Sequence, residues 1–460
     1  MILFALALVG ACDSLGGAPP GGGVDTDPPP GDAGPPPAED TDPPPVSGPA
    51  SRLDAPPTKR WVIAEDPDMV ATSMQNLGTL TRAYLNPDGR LFVTYNHPDR
   101  TGCSAGEPDP CLPIYYAVFG PDGEVIAPPT RIEVPDAKHV HHAQFTAGPD
   151  GGAVLYGQAY FQATPGTFSD DDLRTVFLLP VDADGVAAGP YQIDDLAVSH
   201  AALHAITLPD YSLVVAVGYD VRAYAPDLQR RLWVSDVGRG SGTDNLLTLG
   251  ADGNVYLTKH AMVNAGGGSR VAVHALDPLT GEALAAPQLA PGPNAPDSKG
   301  CAYDPDIQDD RLGAVLAFDD GRLLLVGTTS PRCGDLLTEL YLTWYDPATL
   351  RFTRVMYNAQ DVAGGHWLDR FGYVMDARLA SDGSLVMVWP GYFFDYVFHV
   401  DPHDPTRGWW YQLNDDLDPG IMLTNTVAFD EDRGYFIAGT YVPGMDVTAP
   451  RYLYISRYDH

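Results

Sequence analysis

Positive charge is scarce in this chain: 27 lysines and arginines stand against 60 aspartates and glutamates, for a formal net charge of −33. A surface of that sign repels nucleic acid and anionic lipid headgroups, which excludes both as partners. Helical amphipathic periodicity is absent throughout, which argues against a helical core. Cysteines number five, and their spacings match no zinc-site pattern. There is no Gly-x-Ser-x-Gly, no His-Glu-x-x-His and no phosphate loop. What the chain has in abundance is glycine and proline, 48 and 44 residues, which suits many tight turns and one low-complexity segment.

The turns recur in a pattern. Runs of apolar residues flank Asp-Gly or a close variant at Asp88, Asp150, Asp210, Asp252, Asp320, Asp382 and Asp432. Each reads as strand, tight turn, strand. The third copy is weaker, with Tyr211-Ser212 where glycine is usual, and the seventh has a longer turn. The turn aspartates lie 42 to 68 residues apart, near the period of a four-stranded unit. A second hairpin follows most copies, turning at Asp122-Gly123, Asp184-Gly185, Asp277–Gly281, Asp346–Thr349 and Asp401–Pro405, and least clearly near Pro226-Asp227. Two hairpins make one blade. The expected fold is therefore all-β, a β-propeller of seven four-stranded blades; the weak third copy leaves six or eight open. The last copy is one strand short. The strand-like run Arg60-Trp-Val-Ile-Ala64 has no hairpin partner nearby, so it is expected to supply the missing outer strand and close the ring.

The hairpins resemble the short bacterial propeller repeats of the form Leu-x-x-Asp-Gly-x-Leu-x-Val-x-Gly, best around Asp320 and Asp382. That resemblance implies a fold and no activity. The Gly-His and Trp-Asp marks of WD40 blades and the full sialidase Asp box are missing.

Residues 1–12 form an apolar run that ends in small residues and a cysteine, too short to span a bilayer and similar to an export signal. Val9-Gly-Ala-Cys12 resembles the bacterial lipobox, which implies cleavage before Cys12 and lipidation of its sulfur. No lysine or arginine precedes the run, so the true start is expected upstream. Residues 13–57 carry three Pro-Pro-Pro runs among Gly, Asp and Thr. Such a segment buries no core and reads as a solvated linker. Residues 58–460 are the expected propeller domain. The expected location is the cell envelope (outer membrane, cell surface or periplasmic face), with the lipid as the only membrane contact. Cys103 with Cys111, and Cys301 with Cys333, are expected as two disulfides of an exported protein.

Chemistry on propellers usually sits at the channel mouth, on loops feeding the inner strands, an argument by fold analogy. Here those approaches are rich in His and Asp. His141, His200, Asp244, Asp306 and Asp376 are the candidate ligands for a divalent cation such as calcium or a transition metal. The competing reading is that polar side chains near the axis satisfy backbone groups. Trp409-Trp410-Tyr411 and Tyr392-Phe-Phe394 read as core packing in preference to a glycan platform. Two functions follow: a binding or scaffold module for a protein or glycan ligand, or a metal-assisted hydrolase or lyase at the channel mouth.

Overall fold

The computed structural model describes residues 58–64, 66–71, 81–97, 113–161, 173–197, 203–238, 245–262, 269–290, 309–330, 339–358, 362, 374–380, 382–390, 395–413, 420–430, 434–443 and 450–459. The five cysteines, residues 1–57 and the turn at Asp432 lie outside them.

The described strands form seven four-stranded antiparallel blades, six of them simple meanders and the seventh a three-stranded meander completed by a strand from the start of the chain. Blades 1 to 6 begin with the inner strands Arg82–Leu85, His139–Ala147, Leu203–Thr207, Leu246–Leu249, Asp309–Ala317 and Asp376–Leu379. The inner strand of blade 7 is Gly420–Asp430. Each inner strand packs against the next, and that of blade 7 returns to blade 1, so the ring is closed around a central channel. Blades 4 and 5 also share one parallel pair, Ser269 with Asp309.

Why the strands read as unbroken apolar runs is clear from their burial. Leu91 and Val93 face blade 7, while Phe92 between them faces blade 2. All three are fully buried. Alternation along a strand thus serves two interfaces, and both demand apolar residues. Among the described residues seven apolar clusters form, one at each blade interface. Each fully buried Leu, Val or Phe contributes on the order of 1.5–3 kcal/mol. Trp409 and Trp410 belong to this packing: Trp409 lies in the cluster between blades 6 and 7, and Trp410 lies against the one between blades 5 and 6.

The short turns follow one recipe. The glycines at 89, 123, 185, 253, 321 and 383 all sit near φ +80°, where an L side chain is strained. Blade 3 has no glycine there, and Tyr211 takes the left-handed conformation itself, at φ 65°. The weak copy is a full blade nonetheless. Its second hairpin joins Asp220–Tyr224 to Arg231–Asp236. A buried charge pair ties it to blade 2: Arg222 Nη1 lies 3.2 Å from Asp194 Oδ2, with both side chains almost wholly out of water. Tyr224 and Arg231 also donate to Asp194.

Ring closure falls to the first strand. Thr58–Ile63 pairs antiparallel with Arg451–Asp459 and is the outer strand of blade 7, as expected. Val70–Ala71 adds a short pairing to the same strand. Trp61 packs on Phe436 at 5.7 Å between ring centroids and donates from Nε1 to Pro121 O at 3.2 Å, so it touches both blade 7 and blade 1. Arg457 Nη1 donates to the same carbonyl at 3.0 Å. Arg60 pairs with Asp122 at 2.5 Å, but both side chains are well exposed, and such pairs contribute little.

Trp61→Ala is accordingly expected to cost about 2–3 kcal/mol in denaturant unfolding, less than a fully buried tryptophan because the ring is only half-buried. Arg60→Ala is expected to cost less than about 1 kcal/mol. Equal costs for the two would contradict this account of closure.

Candidate functional site

The inner strands carry the polar groups nearest the channel, and their register is legible from the turns. The residue six places before the turn aspartate is Arg82 in blade 1, Gln144 in blade 2, His204 in blade 3, Asp376 in blade 6 and Thr426 in blade 7. Most of them reach sideways to the following blade.

Gln144 Nε2 donates to Leu203 O at 3.3 Å. Its Oε1 accepts from Tyr156 OH at 3.1 Å, and that hydroxyl accepts from Ala205 N at 3.2 Å. His204 Nδ1 accepts from Leu247 N at 3.1 Å. Asp376 Oδ2 accepts from Thr426 Oγ1 at 2.8 Å and from Val427 N at 3.1 Å. Asn245 Nδ2 donates back to Gly218 O at 2.9 Å. Three of these bonds satisfy the same backbone amide, five residues before the turn aspartate: Ala205, Leu247 and Val427. Buried amides left without a partner cost roughly 1–3 kcal/mol each, so the residues chosen here are acceptors.

The candidate metal set is only partly in view. His200, Asp244 and Asp306 lie outside the described residues, and of His141 only the backbone is described. That backbone enters a bulge: the pairing slips between His141 and Gln144, with His142 at φ 53°. Asp376 is described fully. Besides its two bonds to blade 7, its Oδ1 accepts from Ala377 N at 2.9 Å and faces Arg378 Nη1 at 3.4 Å. Among the described residues no three His, Cys, Asp or Glu side chains gather as a metal centre would require.

Sequence reasoning did not single out Arg82, Gln144, Tyr156, His204 and Arg378 as a group. Arg378 stands four residues before its turn aspartate on the inner strand of blade 6, with a 42% exposed side chain. Arg82 opens the inner strand of blade 1 and is half-buried. The charge of Arg378 acts across the ring and that of Arg82 on the next two blades. His204 is pushed down to about 3, first by burial and then by the Arg378 and Arg82 guanidiniums. Burial raises the Tyr156 phenol to about 12, against a smaller pull from the same two arginines. His204 is therefore neutral at physiological pH. With Nδ1 accepting, its proton sits on Nε2. The channel wall thus brings two cations, a neutral imidazole donor and a neutral phenol together from four blades. A scan for scarce cations at fixed offsets from the turns would have found the arginines.

No known family's sequence profile matches the chain, and no curated protein matches it. Solved structures do. A protein of unknown function from Dyadobacter fermentans matches with a TM-score of 0.48 at 13% identity, over 86% of this chain and 99% of that one. The polysaccharide lyase Uly1 matches with a TM-score of 0.47 at 10% identity, over 86% and 93%. A fungal alcohol oxidase of the AA5 family, in complex with copper, matches with a TM-score of 0.49 at 11% identity, over 88% and 76%. At this level the likeness carries no argument about activity.

The neutral His204 makes a pH prediction. Unfolded, the ring takes a proton near 6.5; folded, only near 3. Between those values the unfolded state binds the extra proton, so the stability that His204 contributes is complete above pH 6.5 and is lost as pH falls. Urea midpoints are expected to drop from pH 7 to pH 4.5, and His204→Asn, which keeps an acceptor for Leu247 N, is expected to make the drop smaller. His274, lowered to about 4 by burial, leaves a residual slope of the same sign. An unchanged slope in His204→Asn would contradict the neutral-ring assignment.

Proposed function

We propose that this protein is an exported binding module: a seven-bladed propeller, anchored by lipid at Cys12 to the cell envelope, held off the membrane by residues 13–57, and taking its protein or glycan ligand at the central channel. One observation carries the binding reading. The described polar side chains of the channel wall that look most like catalytic groups, His204, Asp376 and Tyr156, are spent on holding one blade to the next. The lone pairs that a general base would use, Nδ1 of His204 and Oδ2 of Asp376, are occupied by backbone amides, and the Nε2–H left on His204 belongs to a neutral ring that serves as a hydrogen-bond donor. The Arg378 guanidinium, with its side chain 42% exposed, stands on the inner strand of blade 6, and a guanidinium serves recognition well.

The anchoring part of the proposal is supported by residues 1–57: an apolar run ending at Val9-Gly-Ala-Cys12, followed by a proline-rich acidic linker. A stable anchor needs more than one acyl chain, which a lipidated N-terminal cysteine supplies. The two disulfides proposed for Cys103 with Cys111 and Cys301 with Cys333 fit the same compartment.

Elemental mass spectrometry on the full-length protein, with melting curves before and after chelation, separates this reading from the metal-assisted hydrolase or lyase. The binding reading predicts no stoichiometric divalent metal and a melting point indifferent to chelator. A stoichiometric metal, lost together with several degrees of stability, would replace it with the enzyme reading. In bacterial fractions, Cys12→Ser is expected to move the protein from the membrane to the soluble pool.

A further inference from the structure

Arg378, on the inner strand of blade 6, is a loosely held cation. A guanidinium has five N–H donors in a planar fork. Among the described residues this one meets two acceptors, both at the long limit: Asp376 Oδ1 at 3.4 Å and its neighbour's carbonyl, Ala377 O, at 3.5 Å. The carboxylate beside it is a poor counter-ion, because Asp376 Oδ2 is committed to Thr426 and Val427 and Oδ1 to Ala377 N. Burying an ion pair is costly unless its geometry is good, and here the guanidinium stays 42% exposed. Its charge acts on His204 and Tyr156, on blades 3 and 2.

Around it the wall has an arrangement suited to negative charge. Arg82 lies two blades away around the ring, and the fields of both arginines overlap at His204 and Tyr156, on blades 3 and 2. Blades 6 and 3 lie on opposite sides of the ring, so this overlap crosses the channel. His204 contributes an Nε2–H and no charge, while Nδ1 stays on Leu247 N. Two cations on inner strands therefore act on one neutral donor inside a protein whose net charge is −33. The guanidinium fork matches the spacing of two oxygens in a carboxylate or phosphate, and a bidentate pair adds both strength and orientation.

We propose that the channel binds a small oxyanion, the carboxylate or phosphate group of the ligand, between Arg378 and Arg82 and beside His204. This rests on the binding-module reading and gives its ligand a chemical class. The surrounding acidic surface keeps large polyanions away, so the oxyanion belongs to a small molecule or to the single charged group of a larger one.

The test is isothermal titration of the full-length protein with succinate and, separately, with inorganic phosphate, at constant ionic strength set by chloride. The expected result is one saturable site for at least one of the two anions; whichever binds more tightly identifies the group. Arg378→Gln is expected to weaken it by about ten- to a hundredfold, the usual effect of losing a charge-assisted bond. Arg378→Lys keeps the charge without the fork and is expected to fall between. Arg82→Gln is expected to weaken binding as well. Arg407→Gln, an exposed arginine in the turn between the third and fourth strands of blade 6, is expected to bind as the wild type does. Unchanged melting of Arg378→Gln separates a lost contact from a lost fold. No saturable site for either anion, or equal binding by Arg378→Gln, overturns the proposal. An uncharged glycan or a protein that binds wild type and Arg378→Gln equally overturns the oxyanion site while leaving the binding module standing.

Discussion

Each blade of this ring has two apolar faces, and neither tolerates water. A single four-stranded sheet covers one face at most, so a neighbour is needed on each side, and the row of neighbours must return to its start. Leu91, Val93 and Tyr95 on one side of a strand and Phe92 on the other state that requirement in one short segment. Closure is therefore a necessity of burial, and Thr58–Ile63 meets it from the opposite end of the chain. The entropy of bringing those ends together grows only slowly with loop length, so a closing strand about 400 residues away in sequence costs little more than a nearer one.

Everything polar is arranged around that packing. Inner strands meet at the axis, where neither partner strand nor apolar cluster covers one edge. Three of the described amides there, Ala205, Leu247 and Val427, are satisfied by a tyrosine, a histidine and an aspartate of the preceding blade, and Gln144 supports the tyrosine. The opposite problem arises at the short turns. There Asp210, Asp252, Asp320 and Asp382 each accept a backbone N–H two residues on, from Ser212, Asn254, Arg322 and Ser384. Aspartate mimics a turn of backbone in this way. Part of the acidity of the chain is thus a by-product of how its hairpins are built, and the scarce cations acquire meaning by contrast. Three of them, Arg82, Arg311 and Arg378, stand on inner strands.

The architecture was legible because hairpins are local. Asp-Gly turns flanked by apolar runs, and an orphan strand near the start, were enough for seven blades and their closure. Blade 3 looked doubtful only because Tyr211 occupies a position that glycine usually fills; the register of its strands is unaffected. The candidate site was legible in one respect. Asp376 was identified as lying near the axis, and it does, but its carboxylate is held by Thr426, Val427 and Ala377. Composition places a carboxylate and says nothing of what occupies it. The pairing of Asp194 with Arg222, and the grouping of Arg82, His204 and Arg378, depend on which strand faces which across a blade interface. No local pattern encodes that. The cysteines and three of the proposed ligands lie outside the described residues, so their reading stands on sequence alone.

Hydrogen exchange by mass spectrometry on the full-length protein tests the ring most directly. If burial at seven interfaces makes one cooperative unit, the second and third strands of every blade lose protection together, and the amides of Thr58–Ile63 that face Arg451–Asp459 are protected with them. Exchange of Thr58–Ile63 at the rate of an unstructured peptide, while blades 1 to 6 remain protected, would contradict closure by this strand and the account built on it.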